Sequence, residues 1–136
     1  MIENGVLYLT LKKKWFDMIL SGEKTEEYRE IKEYWLWRLF WKDCEVEGAD
    51  EIINDMQNPY HRHNNPFELL ETFDLKKKEY DYVHFYNGGY VSNKFPNFKI
   101  ELKDIYIGRG KKEWGAEEDK YYFILKLGKI FKGELE

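Results

Sequence analysis

The 136-residue sequence predicts an α+β domain built on a small, mostly antiparallel sheet or barrel with flanking helices. Two observations lead to this prediction. The chain opens with the pattern of a strand, a helix and a second strand, and its C-terminal half carries β-rich segments without the helices that parallel crossovers need. We expect one domain over residues 1–136, since a chain of this length buries roughly 70% of its extended surface.

The sequence pattern of the first third of the chain predicts two strands, each followed by a helix. The apolar run at residues 6–11 predicts a strand, and an apolar stripe over about 12–21 predicts an amphipathic helix. Gly22 follows as the C-cap of this helix. A charged strand is predicted at 25–31, then a helix at 33–42 whose aromatic rings we expect mostly in the core.

The rest of the chain predicts the β-rich part. Residues 43–66 have the composition of a surface excursion, with a helical turn near 50–57, and residues 67–73 predict a short helix. Asn87, Gly88 and Gly89 predict a turn. Three strands are predicted from alternating or strongly apolar segments: 80–86, 98–107 and 121–130.

Composition narrows the classes of function. A formal net charge of −4 disfavours the broad basic face that grips duplex nucleic acid. Aromatic residues make up 18% of the chain, which is typical of a folded protein. Basic runs remain at residues 12–14, at 76–78, and at Arg109 with Lys111 and Lys112; each is typical of a solvated face, with a binding patch as the alternative.

The single cysteine and the absence of long apolar runs point to the cytoplasm. Cys44 leaves no partner for a disulfide and no thiolate zinc cluster. We expect neither a secretion signal nor a membrane span. His61 and His63 are a poor ligand pair, so neither a metal nor a cofactor is predicted.

The charged strand carries the main candidate site, in the spacing Gly22-x-Lys24-x-x-Glu27-x-Arg29. Alternate residues of a strand share a face, so Thr25, Glu27 and Arg29 are predicted to project together, with Lys24 swinging in from the helix end. An ammonium, a carboxylate and a guanidinium together suit a nucleotide base and its phosphate. The alternative is a solvated strand whose surface ion pair contributes less than about 1 kcal/mol.

This stretch resembles the ASCH domain, a family of the PUA-like superfamily with the pattern G-x-K-x-x-E-x-R directly after its first helix. The opening "LYLTLKKKWFDMILSGEKTEEYR" and the closing "IYIGRGKKEWGAEEDKYYFILKLGKI" are also similar to the family. The resemblance implies a small PUA-like β-barrel with helices at its ends. It also implies a cleft beside the first helix, where Lys24, Glu27 and Arg29 meet RNA or a nucleotide.

The resemblance also implies an enzymatic alternative. The family includes amidohydrolases acting on acylated cytidine, which have a threonine at the position of Glu27. In this reading Glu27 acts as a general base for water and Lys24 stabilises the oxyanion. Glu101 or Asp104 is the candidate partner acid, while Thr25, two residues before Glu27, is not assigned the nucleophile's role.

Aromatic and basic residues elsewhere extend the candidate list. Trp114 either stacks a base, with Arg109, Lys111 or Lys112 meeting phosphate, or caps the barrel. Arg38, four residues after Tyr34, is expected to reach the cleft. His84 is expected to be a hydrogen-bonded residue of the sheet.

The leading hypothesis is therefore a cytoplasmic, ASCH-like module that binds single-stranded RNA, a nucleotide or a modified nucleoside. Its net acidity favours a footprint of one or a few nucleotides. Two alternatives remain open: the amidohydrolase on N-acylated cytidine-type nucleosides, and a protein-interaction module that docks a partner through the aromatic segment 34–41.

Overall fold

A computed structural model of the chain describes residues 5–42, 53 and 75–131. The chain is α+β, as predicted. Its elements in order are β1 (Val6–Leu11), α1 (Lys13–Leu20), β2 (Glu26–Glu30), α2 (Glu33–Leu39), β3 (Phe40–Lys42), β4 (Leu75–Lys77), β5 (Tyr82–Asn87), β6 (Asn97–Arg109), a 3-10 turn (Lys112–Trp114) and β7 (Tyr121–Phe131).

Five strands form one curled sheet in the order β1-β5-β6-β7-β2. β1 runs parallel to β5, from Val6 opposite Tyr82 to Leu11 opposite Asn87. β5 and β6 are antiparallel, so the sheet is mixed. β3 and β4 form a separate antiparallel pair in which Trp41 lies opposite Lys76.

The chain divides into two compact units. The first contains Met1–Glu27, Glu79–Asp104 and Leu125–Glu136; the second contains Tyr28–Lys78 and Ile105–Ile124. That the whole chain is one domain stays a prediction.

The core of the first unit lies between α1 and the strands. Phe16 and Ile19, three residues apart on α1, are its buried residues, as the amphipathic stripe predicts. Phe16 packs edge-on against Phe98 of β6, with ring centroids 4.9 Å apart. Val83 and Phe85 alternate along β5 and are fully buried, so β5 directs one face into this core.

The second unit has its own apolar core. Leu36 and Leu39 of α2 are fully buried. The ring of Phe40 packs against that of Phe123, with their centroids 5.5 Å apart. Tyr28 and Tyr122 pack together at 5.7 Å within a cluster around Ala116 and Ile124. This cluster holds the middle of β2 against β7.

Most predicted strands are confirmed, but the aromatic segment differs from its prediction. The helix predicted to reach residue 42 ends at Leu39, because Phe40 is extended (φ −133°, ψ 152°) and begins β3. In the β3–β4 ladder, backbone N–H and C=O groups of β3 find partners in β4, so they do not depend on a longer helix for hydrogen bonds. Except for Ile53, which is helical, the predicted turn at 50–57 and the helix at 67–73 lie outside the described residues.

Candidate functional site

Gly22 reverses the chain at the end of α1 and thereby sets the position of Lys24. The C-cap of α1 is Ser21 and not Gly22 as predicted; Gly22 follows it with a φ of +88°, a conformation that side-chain-bearing residues rarely adopt and that commonly ends a helix. The Gly22 N–H donates to the Ile19 carbonyl at 3.0 Å, and the Lys24 N–H donates back to the Met18 carbonyl at 2.9 Å. The glycine of the motif therefore folds Lys24 back against the helix.

Lys24 and Glu27 form a buried ion pair in the first unit. Lys24 Nζ lies 2.6 Å from Glu27 Oε1, and the two side chains are 0% and 8% exposed. The same ammonium donates to the Glu26 carbonyl oxygen at 2.5 Å and lies 5.6 Å from the centroid of the Trp15 ring. Burying an unpaired ammonium is very unfavourable, so these contacts explain how a lysine is accommodated here.

A cavity of about 340 Å³ adjoins this pair, also within the first unit. Motif residues Gly22, Lys24 and Thr25 line one part of it. The remaining lining residues come from α1, β6 and the end of β7: Ile19, Ile100, Leu127, Gly128, Lys129 and Ile130. A backbone hydrogen bond of 3.0 Å, from the Leu127 N–H to the Thr25 carbonyl, ties the two walls together.

The cavity separates two residues that the sequence analysis placed on one face. Thr25 is exposed and lines the cavity, whereas Glu27 is buried against Lys24 and is not among the lining residues. Thr25 and Lys129 are exposed lining residues with polar side chains, a hydroxyl and an ammonium. Both can bond a polar ligand, the hydroxyl as donor or acceptor and the ammonium as donor.

Sequence reasoning missed Lys129. It lies in the apolar run that predicted β7, where a lysine is ordinarily a solvent-facing strand residue. The available signal was Gly128 beside it, because a glycine within a strand often marks close approach of another group. Here that group is Glu101, whose Oε1 accepts a 3.3 Å hydrogen bond from the Lys129 N–H.

Arg29 and Arg38, by contrast, lie in the second unit. Both guanidinium groups contact the Trp35 ring, with Cζ at 4.9 Å from its centroid for Arg29 and 5.2 Å for Arg38. Arg38 Nη1 also donates to Tyr34 Oη at 3.3 Å. The grouping of either arginine with Lys24 and Glu27 stays a prediction.

Two exposed rings correct the expectation for the aromatic segment. Tyr34 is 61% exposed and Trp41 is 60% exposed, while Trp35 and Trp37 are half-buried. Only one side of α2 packs inward, through Leu36 and its neighbours on that side. Tyr34 therefore lies on the outer side of α2. Trp41 lies in the two-stranded β3–β4 sheet, where its side chain is exposed to solvent.

Lys111 and Trp114 contact each other at the 3-10 turn of the second unit. Lys111 Nζ lies 4.3 Å from the centroid of the half-buried Trp114 ring. The Lys111 N–H donates to Tyr28 Oη at 2.9 Å, and Gly110 packs so closely on Tyr28 that a Cβ would lie 2.6 Å from its ring. Gly110 is thus required for packing, and the stacking role of Trp114 stays a prediction.

His84 is a hydrogen-bonded sheet residue, as predicted. Its Nε2 lies 2.8 Å from Asn97 Oδ1, and its ring stacks on Tyr86 at 4.6 Å and on Tyr8 at 5.7 Å between centroids. Burial, and secondarily Tyr8, raises the pKa of the Tyr86 phenol above 10.0. These contacts account for His84 without a catalytic role.

Within the described ranges, no three His, Cys, Asp or Glu residues are grouped so that they could hold a metal ion. His61 and His63 lie outside those ranges. No helix in the same ranges is long and apolar enough to cross a membrane.

Searches for relatives of this chain, among protein-family models, curated proteins and solved structures alike, returned no match.

Proposed function

We propose that this chain is an ASCH-like module that binds a nucleotide, a modified nucleoside or the end of a single-stranded RNA. The binding site is the cavity beside Gly22, Lys24 and Thr25. The observation that carries the proposal is the buried Lys24–Glu27 ion pair against the wall of this cavity, because both residues hold fixed positions of the G-x-K-x-x-E-x-R pattern.

The volume of the cavity supports a small ligand. Ligand sites typically enclose about 300–1,000 Å³, and about 340 Å³ lies near the lower limit. The apolar wall suits the face of a base, the Thr25 hydroxyl suits a base edge or a ribose hydroxyl, and Lys129 suits a phosphate. A net charge of −4 fits one or a few nucleotides better than a long polyanion.

The finer description of the fold is part of the same proposal. A PUA-like, mostly antiparallel barrel requires β6 and β7 to run in opposite directions. Two contacts support this antiparallel direction: Glu101 lies beside Lys129, and Gly108 lies beside Ile124. The later residue of β6 thus meets the earlier residue of β7. An experimental structure in which β6 and β7 run parallel would contradict it.

Calorimetric titration of the protein with cytidine 5′-monophosphate and with cytidine tests the site. We expect Lys129→Gln to weaken binding of the monophosphate by roughly tenfold while changing cytidine binding little, because a charge-assisted hydrogen bond is lost. Thr25→Trp should fill the cavity and weaken both ligands. Lys126→Gln is the matched control, since Lys126 is an exposed lysine of the same strand outside the cavity.

Two results would count against the proposal. Wild-type protein that binds neither ligand would remove it, and unchanged binding in both cavity variants would move the site elsewhere. Arg29→Gln in the same titration tests the predicted role of Arg29. Incubation with N4-acetylcytidine tests the amidohydrolase alternative, which requires release of acetate that Glu27→Gln abolishes.

A further inference from the structure

A basic and aromatic surface lies on α2, β3 and β4 of the second unit. We call it the α2–β4 surface and define it by Tyr34, Arg38, Trp41, Lys76 and Lys78. Both of its aromatic residues are exposed, Tyr34 at 61% and Trp41 at 60%. Exposed aromatic rings flanked by cations are typical of nucleic-acid binding surfaces rather than of ordinary solvated faces.

Trp41 lies beside two lysines, one within β4 and one directly after it. Lys76 is exposed and lies opposite Trp41 in the β3–β4 ladder. Lys78 lies above the ring, with Nζ 4.2 Å from its centroid, and its ammonium donates to the Trp37 carbonyl at 2.5 Å. These contacts hold one cation over the indole while the residue as a whole stays exposed.

Arg38 adds a further cation to this surface. Its guanidinium lies 5.6 Å from the centroid of Tyr34 and 5.2 Å from that of Trp35. Burial, and after it the positive charge of Arg38, lowers the pKa of Lys78 below 10.5. Positive charges close enough to repel one another are stabilised when an anion comes between them.

We propose that the α2–β4 surface binds single-stranded nucleic acid, with one base stacked on Trp41 and the adjoining phosphates contacted by Lys76, Lys78 and Arg38. An indole stacks on any base because every base has a π face, and lysine and arginine side chains bind phosphate. An acidic peptide would satisfy the cations but would offer nothing to Trp41. The proposal stands independently of the nucleotide cavity, which belongs to the first unit.

Fluorescence anisotropy with a 3′-labelled octauridylate tests this surface. We expect Trp41→Ala to weaken binding roughly 5- to 150-fold, and Trp41→Phe to retain most of the affinity, because base stacking contributes about 1–3 kcal/mol. Lys78→Gln should make the slope of log affinity against log salt less negative by about 0.7, the value for one phosphate contact on a single strand.

Tyr90→Ala and Lys94→Gln are the matched controls, since Tyr90 is 63% exposed and Lys94 is an exposed lysine, both in the first unit. They should bind octauridylate as the wild type does. Equal weakening by Tyr90→Ala and Trp41→Ala would overturn the proposal, as would wild-type protein that binds no octauridylate. Competition by polyglutamate as effective as that by unlabelled octauridylate would also overturn it, in favour of an acidic protein partner.

The failure of this proposal is distinguishable from failure of the nucleotide site. Lys129→Gln should weaken octauridylate binding far less than Trp41→Ala does, because the cavity takes at most the end of the strand, and Trp41→Ala should leave the calorimetric titration with cytidine 5′-monophosphate unchanged. If Lys129→Gln weakened octauridylate as much as Trp41→Ala does, the separate α2–β4 surface would be refuted. Equal urea midpoints for Trp41→Ala and wild type exclude unfolding as the cause of weaker binding.

Discussion

Lys24 and Lys78 each donate from the ammonium group to a backbone carbonyl oxygen at 2.5 Å, that of Glu26 and that of Trp37. Beyond this contact the two lysines differ. Lys24 is fully buried and paired with a carboxylate, whereas Lys78 is half-buried above an exposed indole, where a guanidinium contributes to lowering its pKa.

The difference separates a structural cation from a binding cation. Around Lys24 the protein itself supplies the negative charge, so the lysine belongs to the wall that shapes the cavity. Around Lys78 the described neighbours are a carbonyl, a ring and a cation, so an external anion improves its surroundings. Charge alone in the sequence does not distinguish these roles; the partner that the fold brings to each ammonium does.

The largest expected effect is on stability, from Lys24→Met. This change removes the ammonium that neutralises the buried Glu27 and should lower the free energy of unfolding by about 3–5 kcal/mol. Lys13→Met is the control, because Lys13 pairs with Asp17 on the exposed side of α1 and should change stability by less than about 1 kcal/mol. Urea denaturation measures both, and equal losses would remove the distinction between a buried and an exposed pair.

The second change, Lys24→Met with Glu27→Leu, separates stability from binding. Replacing both members of a buried ion pair by apolar residues is often neutral or stabilising, so the double variant should recover most of the stability lost by Lys24→Met. It should nevertheless bind cytidine 5′-monophosphate more weakly than wild type. A double variant as unstable as the single one would show that other contacts of Glu27 dominate.

The strands were predictable from sequence, but the environment of the charges was not. β1 and β7 follow from apolar patterning, and Gly22 follows from its place after the amphipathic stripe of α1. β3 and β4 have three residues each, too few for a periodic signal, and they pair across more than thirty positions of the chain. The start of β3 at Phe40 therefore depends on tertiary pairing.

The candidate site shows the same limit. The spacing Gly22-x-Lys24-x-x-Glu27 was sufficient to choose the residues. It could not predict that Lys24 would be fully buried, because lysine is almost never so unless its charge is paired. Lys129 was missed since its contribution to the cavity depends on the end of β7 lying beside Thr25, a contact about a hundred residues apart in sequence.

The third change, Lys78→Met, should affect stability far less than Lys24→Met. The variant loses the hydrogen bond to the Trp37 carbonyl, which is worth about 0.5–1.5 kcal/mol, but it also removes the repulsion by Arg38 and the partial burial of a charge. We expect a net change below about 1 kcal/mol in urea denaturation. A loss as large as that from Lys24→Met would make Lys78 structural and would contradict the comparison.

The smallest expected effect is the pH dependence of the stability difference between wild type and Lys78→Met, and the direction of this dependence can be predicted. Burial and Arg38 lower the pKa of Lys78, so the folded state binds this proton less tightly than the unfolded state does. The charged lysine therefore disfavours folding at neutral pH, and this penalty disappears as the pH rises through the folded pKa toward 10.5. Wild type should gain stability relative to Lys78→Met over that window.

Lys120 provides the opposite sign as an internal control. The hydrogen bond from its ammonium to Glu117 raises the pKa of Lys120 above 10.5, against the effect of burial and with help from Glu30. Its stabilisation is present below 10.5 and is lost as the pH rises through the folded pKa. Urea midpoints of Lys78→Met and Lys120→Met, each measured against wild type from neutral pH upward, should diverge in opposite directions. Parallel trends would mean that a carboxylate raises the pKa of Lys78 as it does that of Lys120. The distinction between Lys24, paired with a carboxylate, and Lys78, beside a cation, would then be wrong.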